Sequence, residues 1–283
     1  ANYFSAVIPD FIRRLLAPPL IPTRVTLALD RFDWRLETPE DLADFTGAIR
    51  GDGKWEPVHI PHYGPPLGRA AACYRTDFVL DRAMLDRGAL FVSFKGVDYK
   101  AHVFVNGAYL GSHEGFFAPF EFEFTRSARE GSNTLLLKVE NDAIMLGNDS
   151  WGEDGHLYDG DKLYAATGPG YDDPLVGWHH CPPAMGIYQP VTIEARADLH
   201  IHDLFVRPIP EQERAEAWVE VFSSRLTRTP VSLELSLFGQ NFRKTVFTGH
   251  RFDLPGEAGP TVNYYRLPFD LPNPRLWSPE QPW

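Results

Sequence analysis

The sequence predicts an all-β protein made of two antiparallel sandwiches in succession. Three observations carry this. Residues 90–125 hold apolar runs that alternate with polar residues and are separated by turn chemistry. Between two of those runs lies Asn106-Gly107, a dipeptide suited to the two positive-φ positions of a type I′ turn, so His102–Val105 and Ala108–Gly111 are expected to pair as a hairpin. The 25 prolines and 23 glycines leave little room for long helices and favour short strands with punctuated loops.

Taken in order, residues 4–17 place Phe4, Ile8, Phe11, Ile12 and Leu15 near one face of a short amphipathic helix, closed by Pro18-Pro19. Strands are expected in RVTLALDRFDWRLE (24–37), WEPVHI (55–60), CYRTDFVLD (73–81), ALFVSFKG (89–96), the hairpin, FEFEF (120–124) and NTLLLKVEN (133–141). In FEFEF the rings of Phe120, Phe122 and Phe124 should face core while Glu121 and Glu123 face water. Leu135, Leu137 and Val139 share a face in the last run. Residues 142–186 show no sustained period and are rich in Gly, Asp, Tyr, Trp and His. So long a loop in a globular domain is normally functional or disordered, and its aromatics argue against disorder. IYQPVTIEA (187–195) closes the first domain near residue 197. Five further strands follow: DLHIHDLFVRP, AEAWVEVFSS, PVSLELSLFG, KTVFTGHRFDL and VNYYRLPFDLP. That is fewer than the seven or so of an immunoglobulin-like sandwich.

Composition narrows the partners. With 27 basic and 38 acidic residues the formal charge is −11, which repels phosphate backbones and anionic membranes, whereas a neutral glycan is indifferent to it. No apolar run reaches transmembrane length, and the first residues lack the pattern of a signal peptide. Cys73 and Cys181 form no spacing motif; one disulfide and two separate thiols are both open readings, so the compartment is not indicated.

Six segments also resemble one family in the order they occur. WEPVHIPHYG is similar to the Trp-x-x-Val-x-x-Pro-His segment of family-2 glycoside hydrolases, and CYRTDFVL to the Tyr-Arg-x-x-Phe strand after it. GVDYKAHVFVNGAYLGSHEGFFAPFEFEFT resembles the stretch that marks the family's galactose-binding-like jelly-roll. GSNTLLLKVEN, MGIYQPVTIEA and LPNPRLWSPEQPW resemble later motifs of the same proteins, which include β-galactosidases, β-glucuronidases and β-mannosidases. The resemblance implies a sugar-binding jelly-roll over 1–197 and an immunoglobulin-like β-sandwich over 198–283, incomplete because its last strand would follow Trp283. In the family the nucleophile and acid/base are glutamates of a (β/α)₈ barrel beyond the second sandwich, the acid/base in an Asn-Glu pair. No Asn-Glu dipeptide occurs in this sequence, so no catalytic residue is expected and the chain alone should be inactive. His180 stands where some β-galactosidases of the family carry an Asp that touches the sugar, and Gln189-Pro190 replace the usual Arg and an acidic or small residue.

The chemistry-bearing residues are weighed against plainer roles. A retaining glycosidase needs two carboxylates about 5 Å apart. Glu121 and Glu123 share a strand face but read as solvated surface charge. Asp172-Asp173 and Glu153-Asp154 either contact sugar hydroxyls or form turns. His179-His180-Cys181 has metal-binding atoms but neighbouring side chains that point apart, so no zinc site is assigned. Asp154, Asp159 and Asp161 leave a structural calcium as the one cofactor reading, although the segment departs from the Asp-x-Asp-x-Asp-Gly pattern. Trp151, Tyr158, Tyr164, Tyr171 and Trp178 are candidates for stacking on a pyranose, with loop packing as the plain alternative, and Tyr63 is a further candidate in HYGPPLG. Trp34, Trp55 and Trp277 read as core.

The resulting expectation is a non-catalytic front portion that contacts carbohydrate through Trp178, His179, His180, Asp172, Asp173, Tyr63 and Trp151, and shapes the pocket of a barrel in its parent chain. A free-standing carbohydrate-binding module is the rival reading. A scaffold that self-associates through an exposed strand edge is the third.

Overall fold

Residues 24–64, 70–140, 185–225, 231–238, 245–254, 261–276 and 278–280 are described by the computed structural model. The helix expected over 4–17 and Trp277 lie outside them, as does the loop up to residue 184. Two units are delimited: Ala1–Met84 with Leu90–Ala195, and Leu85–Ala89 with Arg196–Trp283.

The first strand run divides. β1 (Val25–Leu29) and β2 (Arg31–Leu36) are separated by Asp30 alone, yet they belong to different sheets. After them come β3 (Glu56–His59), β4 (His62–Gly64), β5 (Ala71–Leu80), β6 (Gly88–Phe94), β7 (Val97–Asp98), β8 (Lys100–Val105), β9 (Ala108–Glu114), β10 (Phe120–Glu123), β11 (Gly131–Glu140), β12 (Met185–Ile187) and β13 (Val191–Ala197). A four-stranded sheet has the order β1-β13-β6-β10 and a six-stranded sheet β3-β2-β5-β11-β8-β9, with a small sheet β4-β12-β7 beside them. The pairings β1–β13, β6–β10, β2–β3, β2–β5, β5–β11, β8–β11, β8–β9, β4–β12 and β7–β12 are antiparallel. The all-β sandwich therefore stands.

Asn106 and Gly107 take φ of 51° and 86°, and β8 and β9 pair across them as the turn chemistry requires. Asn106 does more than turn the chain. Its Nδ2 donates to the Ser127 carbonyl at 2.7 Å and to Asn133 Oδ1 at 2.8 Å, while its Oδ1 accepts the Thr134 N–H at 2.9 Å. Asn133, 1% exposed, also accepts the Arg129 N–H at 3.0 Å and donates to the carbonyls of Arg129 and Gly131. The hairpin tip is thus bonded to the head of β11, the strand that pairs with β5 over ten residues and with β8 over six.

Both faces of β11 are covered. Leu135, Leu137 and Val139 point into the sandwich, but Leu136 is 1% exposed as well. Two five-residue helices, Pro39–Ala43 and Thr46–Arg50, explain this: Ala48, Phe45 and Ile49 join Trp55 over Cys73, Leu136 and Phe104. The first helix is tied down by a buried bidentate pair. Arg35 donates Nη2 to Asp41 Oδ1 at 2.8 Å and Nη1 to Oδ2, the Asp41 carboxylate caps the Thr38 N–H at 2.8 Å, and the guanidinium lies 4.5 Å from the Trp55 ring centre. Trp34 and Trp55 are half-buried rather than fully core.

FEFEF also differs from its alternation. β10 is the edge of its sheet, all four of its residues are half-buried, and Phe124 is the one ring fully enclosed. Phe120 stacks between Phe94 at 4.8 Å and His113 at 4.2 Å, which covers a face expected to be simply core-packed. Glu121 and Glu123 are accordingly part-covered rather than wet.

In the second unit β14 (Leu199–Ile209), β15 (Arg214–Ser223) and β18 (Val262–Asp270) form one sheet, and β16 (Val231–Phe238) pairs with β17 (Thr245–Leu254). Ala215, Ala217, Val219, Val221 and Phe269 are buried against Val231, Leu233, Leu235 and Leu237. All five strands expected there form.

Asn133→Ala strands several backbone partners at once, and should lower unfolding stability by about 2–4 kcal/mol in chemical denaturation. Asp41→Asn leaves a buried guanidinium without its charge partner and should cost about 3–5 kcal/mol at neutral pH. The Arg35 hydrogen bond holds the Asp41 carboxyl below its ordinary value of 3.8, so its contribution is present above that pH and is lost as pH falls through the lower folded value. The stability difference between wild type and Asp41→Asn should therefore shrink on acidification below about pH 4.

Candidate functional site

Of the seven sugar-contact candidates, Tyr63 is the one within the described residues. Trp151, Asp172, Asp173, Trp178, His179 and His180 lie outside them, together with Tyr158, Tyr164, Tyr171, Glu153, Asp154, Asp159, Asp161 and Cys181. Tyr63 does not sit on a loop. It is the middle residue of β4, and the segment read as a loop over 142–186 ends in strand β12.

Register places Tyr63 opposite Gly186 and Gly186 opposite Asp98, so the three share one face of the small sheet. Gly186 has φ 144°, and a Cβ there would lie 2.1 Å from the His62 carbonyl oxygen. With no side chain in the middle strand, the Tyr63 hydroxyl reaches across it and donates to Asp98 Oδ2 at 2.9 Å. The Asp98 carboxyl is 0% exposed, and the peptide joining it to Tyr99 is cis.

Aromatic rings wall this pair. Tyr63 lies 6.1 Å from Tyr188 and 6.4 Å from Phe116, edge-on to both. Phe116 and Tyr188 stack at 4.6 Å, and the Tyr188 hydroxyl donates to the Phe116 carbonyl. Burial, and then the Asp98 carboxylate, raise the Tyr188 phenol above its usual range, which keeps it a donor. Beside Phe116, Phe117 presents a ring that is 58% exposed. Beneath the sheet His62 Nδ1 meets the Tyr74 hydroxyl at 2.8 Å, and burial holds that imidazole toward its neutral form.

Such a cluster holds and orients an aromatic surface. Its carboxyl is enclosed and accepts from Tyr63. Cys73 is a free, buried thiol whose pKa burial pushes up to about 12, so it is inert as a nucleophile. Among the described residues no group of three or more His, Cys, Asp and Glu side chains is placed to hold a metal ion. Asp98, Phe116 and Tyr188 were not singled out in the sequence. Each stood inside a family-like motif, in GVDYKAHV, GSHEGFFAP and MGIYQPV, and only the fold brings them to Tyr63.

Comparison with known proteins then places the chain. The model described as the sugar binding domain of glycosyl hydrolases family 2 matches residues 52–168, and a second, described as glycosyl hydrolases family 2, matches 199–283. Together they cover well over half of the sequence. A β-galactosidase of Alteromonas mediterranea is 23% identical, the match spanning 89% of this chain and 24% of that protein. A β-galactosidase of Streptococcus thermophilus is 31% identical over 52% of this chain and 12% of its own length. Among solved structures, β-D-mannosidase from Dictyoglomus thermophilum aligns with TM-score 0.61 at 18% identity, over 90% of this chain and 32% of that one. Bacteroides uniformis β-glucuronidase aligns at 0.62 and 17%, over 91% and 29%. The chain spans about a quarter or less of the curated relatives it matches.

Gly186→Ala drives a methyl into the His62 carbonyl and strains a positive-φ position. It should destabilise by about 2–4 kcal/mol, measured by thermal or urea unfolding, with loss of Tyr63–Asp98 contact seen in the tyrosine hydroxyl exchange by NMR.

Proposed function

Since the chain belongs to glycosyl hydrolase family 2, we propose that it is the non-catalytic front portion of a hydrolase of β-linked glycosides, and that it shapes the substrate pocket of a catalytic barrel carried elsewhere in its parent protein. The observation that carries this reading is the succession of the two family models, sugar-binding domain first. The greater length of the curated relatives supports it, since it leaves ample chain for a barrel. So does the Tyr63 cluster, an aromatic and carboxyl arrangement with an exposed ring at its rim.

In this reading Tyr63 and the segments 62–72 and 148–186 shape the pocket's rim and select substrate length and linkage. They make and break no bonds. The parent would be a retaining enzyme, in which one carboxylate attacks the anomeric carbon while a second protonates the leaving oxygen and later activates water. Tyr63 contributes ground-state contact, so its loss acts on KM rather than on kcat.

The test assays the 283-residue chain beside the complete parent protein on nitrophenyl β-galactoside, β-glucuronide and β-mannoside. The parent should turn over at least one of them and the chain none. In the parent, Tyr63→Ala, which removes the ring, should raise KM with kcat little changed. Hydrolysis by the chain alone that survives a mock-purification control, or a parent inert on all three, overturns the reading.

A further inference from the structure

We propose that the outer face of the β14-β15-β18 sheet is a binding site for a neutral β-linked oligosaccharide. The position of the site follows from this unit alone. The β linkage of its ligand rests on the reading given under Proposed function.

Alternation in β15 assigns the faces. Ala217, Val219 and Val221 are buried toward the unit's core, so Glu216, Trp218 and Glu220 point the other way. Strand register then lines up two rows across the sheet. Phe205, Trp218 and Arg266 stand opposite one another, and Asp203, Glu220 and Tyr264 form the next row. These six residues line a groove of about 440 Å³. Phe205, Trp218 and Tyr264 are 57%, 44% and 74% exposed. A sheet face that merely meets water has no need of three large rings in one groove, and a contiguous apolar patch of this kind marks a binding surface.

The rings are held. Trp218 Nε1 donates to Glu216 Oε2 at 3.1 Å, which commits the indole's only donor to the protein. Arg266 bonds the other Glu216 oxygen at 2.5 Å and sets its guanidinium 5.8 Å from the Trp218 ring centre. Phe205 stands perpendicular to Trp218 at 6.4 Å. An aromatic corner fixed before the ligand arrives loses little conformational entropy on binding.

The chemistry around the rings selects the ligand. Interface cores between proteins are depleted in charge, yet here Asp203, Glu220 and Arg266 stand among the aromatics. An apolar protein partner would bury these groups without matching them, at a desolvation cost. A pyranose answers both demands, with its C–H face against a ring and its hydroxyls on the carboxylates and guanidinium. Three carboxyl groups, Asp203, Glu216 and Glu220, against two guanidiniums, Arg266 and the Arg207 opposite Glu216, leave this face net negative, which disfavours phosphates and uronic acids and so favours a neutral glycan.

The experiment titrates the 283-residue chain with β-1,4-linked tetrasaccharides of galactose, glucose and mannose, and with a hyaluronan tetrasaccharide as the anionic comparison, by calorimetry and tryptophan fluorescence. Saturable binding of at least one neutral tetrasaccharide is expected, weakened about tenfold or more by Tyr264→Ala and by Trp218→Ala, and retained in part by Trp218→Phe. Thermal unfolding of Tyr264→Ala should be unchanged, since its ring packs against little. Failure of every neutral probe to bind, binding indifferent to both alanine variants, or tighter binding of the anionic probe overturns the site. So does shielding of Trp218 from acrylamide in the complete parent protein, because a protein surface then occupies the groove. None of these outcomes bears on hydrolysis by the parent, which tests the functional reading separately.

Discussion

The first sandwich depends on a pair of amides, Asn106 at a hairpin tip and Asn133 at the entry to β11. A strand that slips by one residue turns its whole core face to water, so register must be pinned somewhere. β11 is the place where pinning counts most, since it is bonded on one side to β5 and on the other to β8. Between them the two side chains bond the backbone at Ser127, Arg129, Gly131 and Thr134. One contact thereby sets the alignment of three strands and leaves no polar atom of Asn133 idle in a buried place.

Much of this was legible beforehand, and the reason is local. Asn106-Gly107 has one comfortable backbone solution, and the alternation of Val231, Leu233, Leu235 and Leu237 admits one buried face. What escaped was anything decided by a distant partner. The helices at Pro39–Ala43 and Thr46–Arg50 are too short to show a period, and the first is held by Arg35, a strand residue. Their presence buries Leu136, so a strand that reads as one-faced is closed on both sides. Likewise FEFEF has the alternation of a core-facing strand, but its place at a sheet edge leaves both faces half-covered.

The candidate sites divide in the same way. Tyr63 could be suspected from its neighbours in HYGPPLG, but its hydrogen-bond partner lies 35 residues on, and the ring that walls it bonds to a carbonyl 72 residues away in the chain. No window of sequence contains both ends of such a contact. The aromatic groove of the second unit was invisible for the same cause. Phe205, Trp218 and Tyr264 each occupy an outward position in a separate strand, and they become neighbours only through the register of β14, β15 and β18. Reading them singly, one sees three ordinary exposed residues.

The crossing at Asp30 has a mechanical meaning. β1 hydrogen-bonds into one layer of the sandwich and β2 into the other, with no slack loop between them, and the Asp30 carbonyl is itself claimed by the Ile60 amide at 2.9 Å. A rivet of this sort lets neither layer fray alone. Loosening the edge at β1 pulls on β2 and so on β5, which makes the two sheets a single cooperative unit. Amide protons deep in β13 and in β5 would then share one opening free energy, set by the same event.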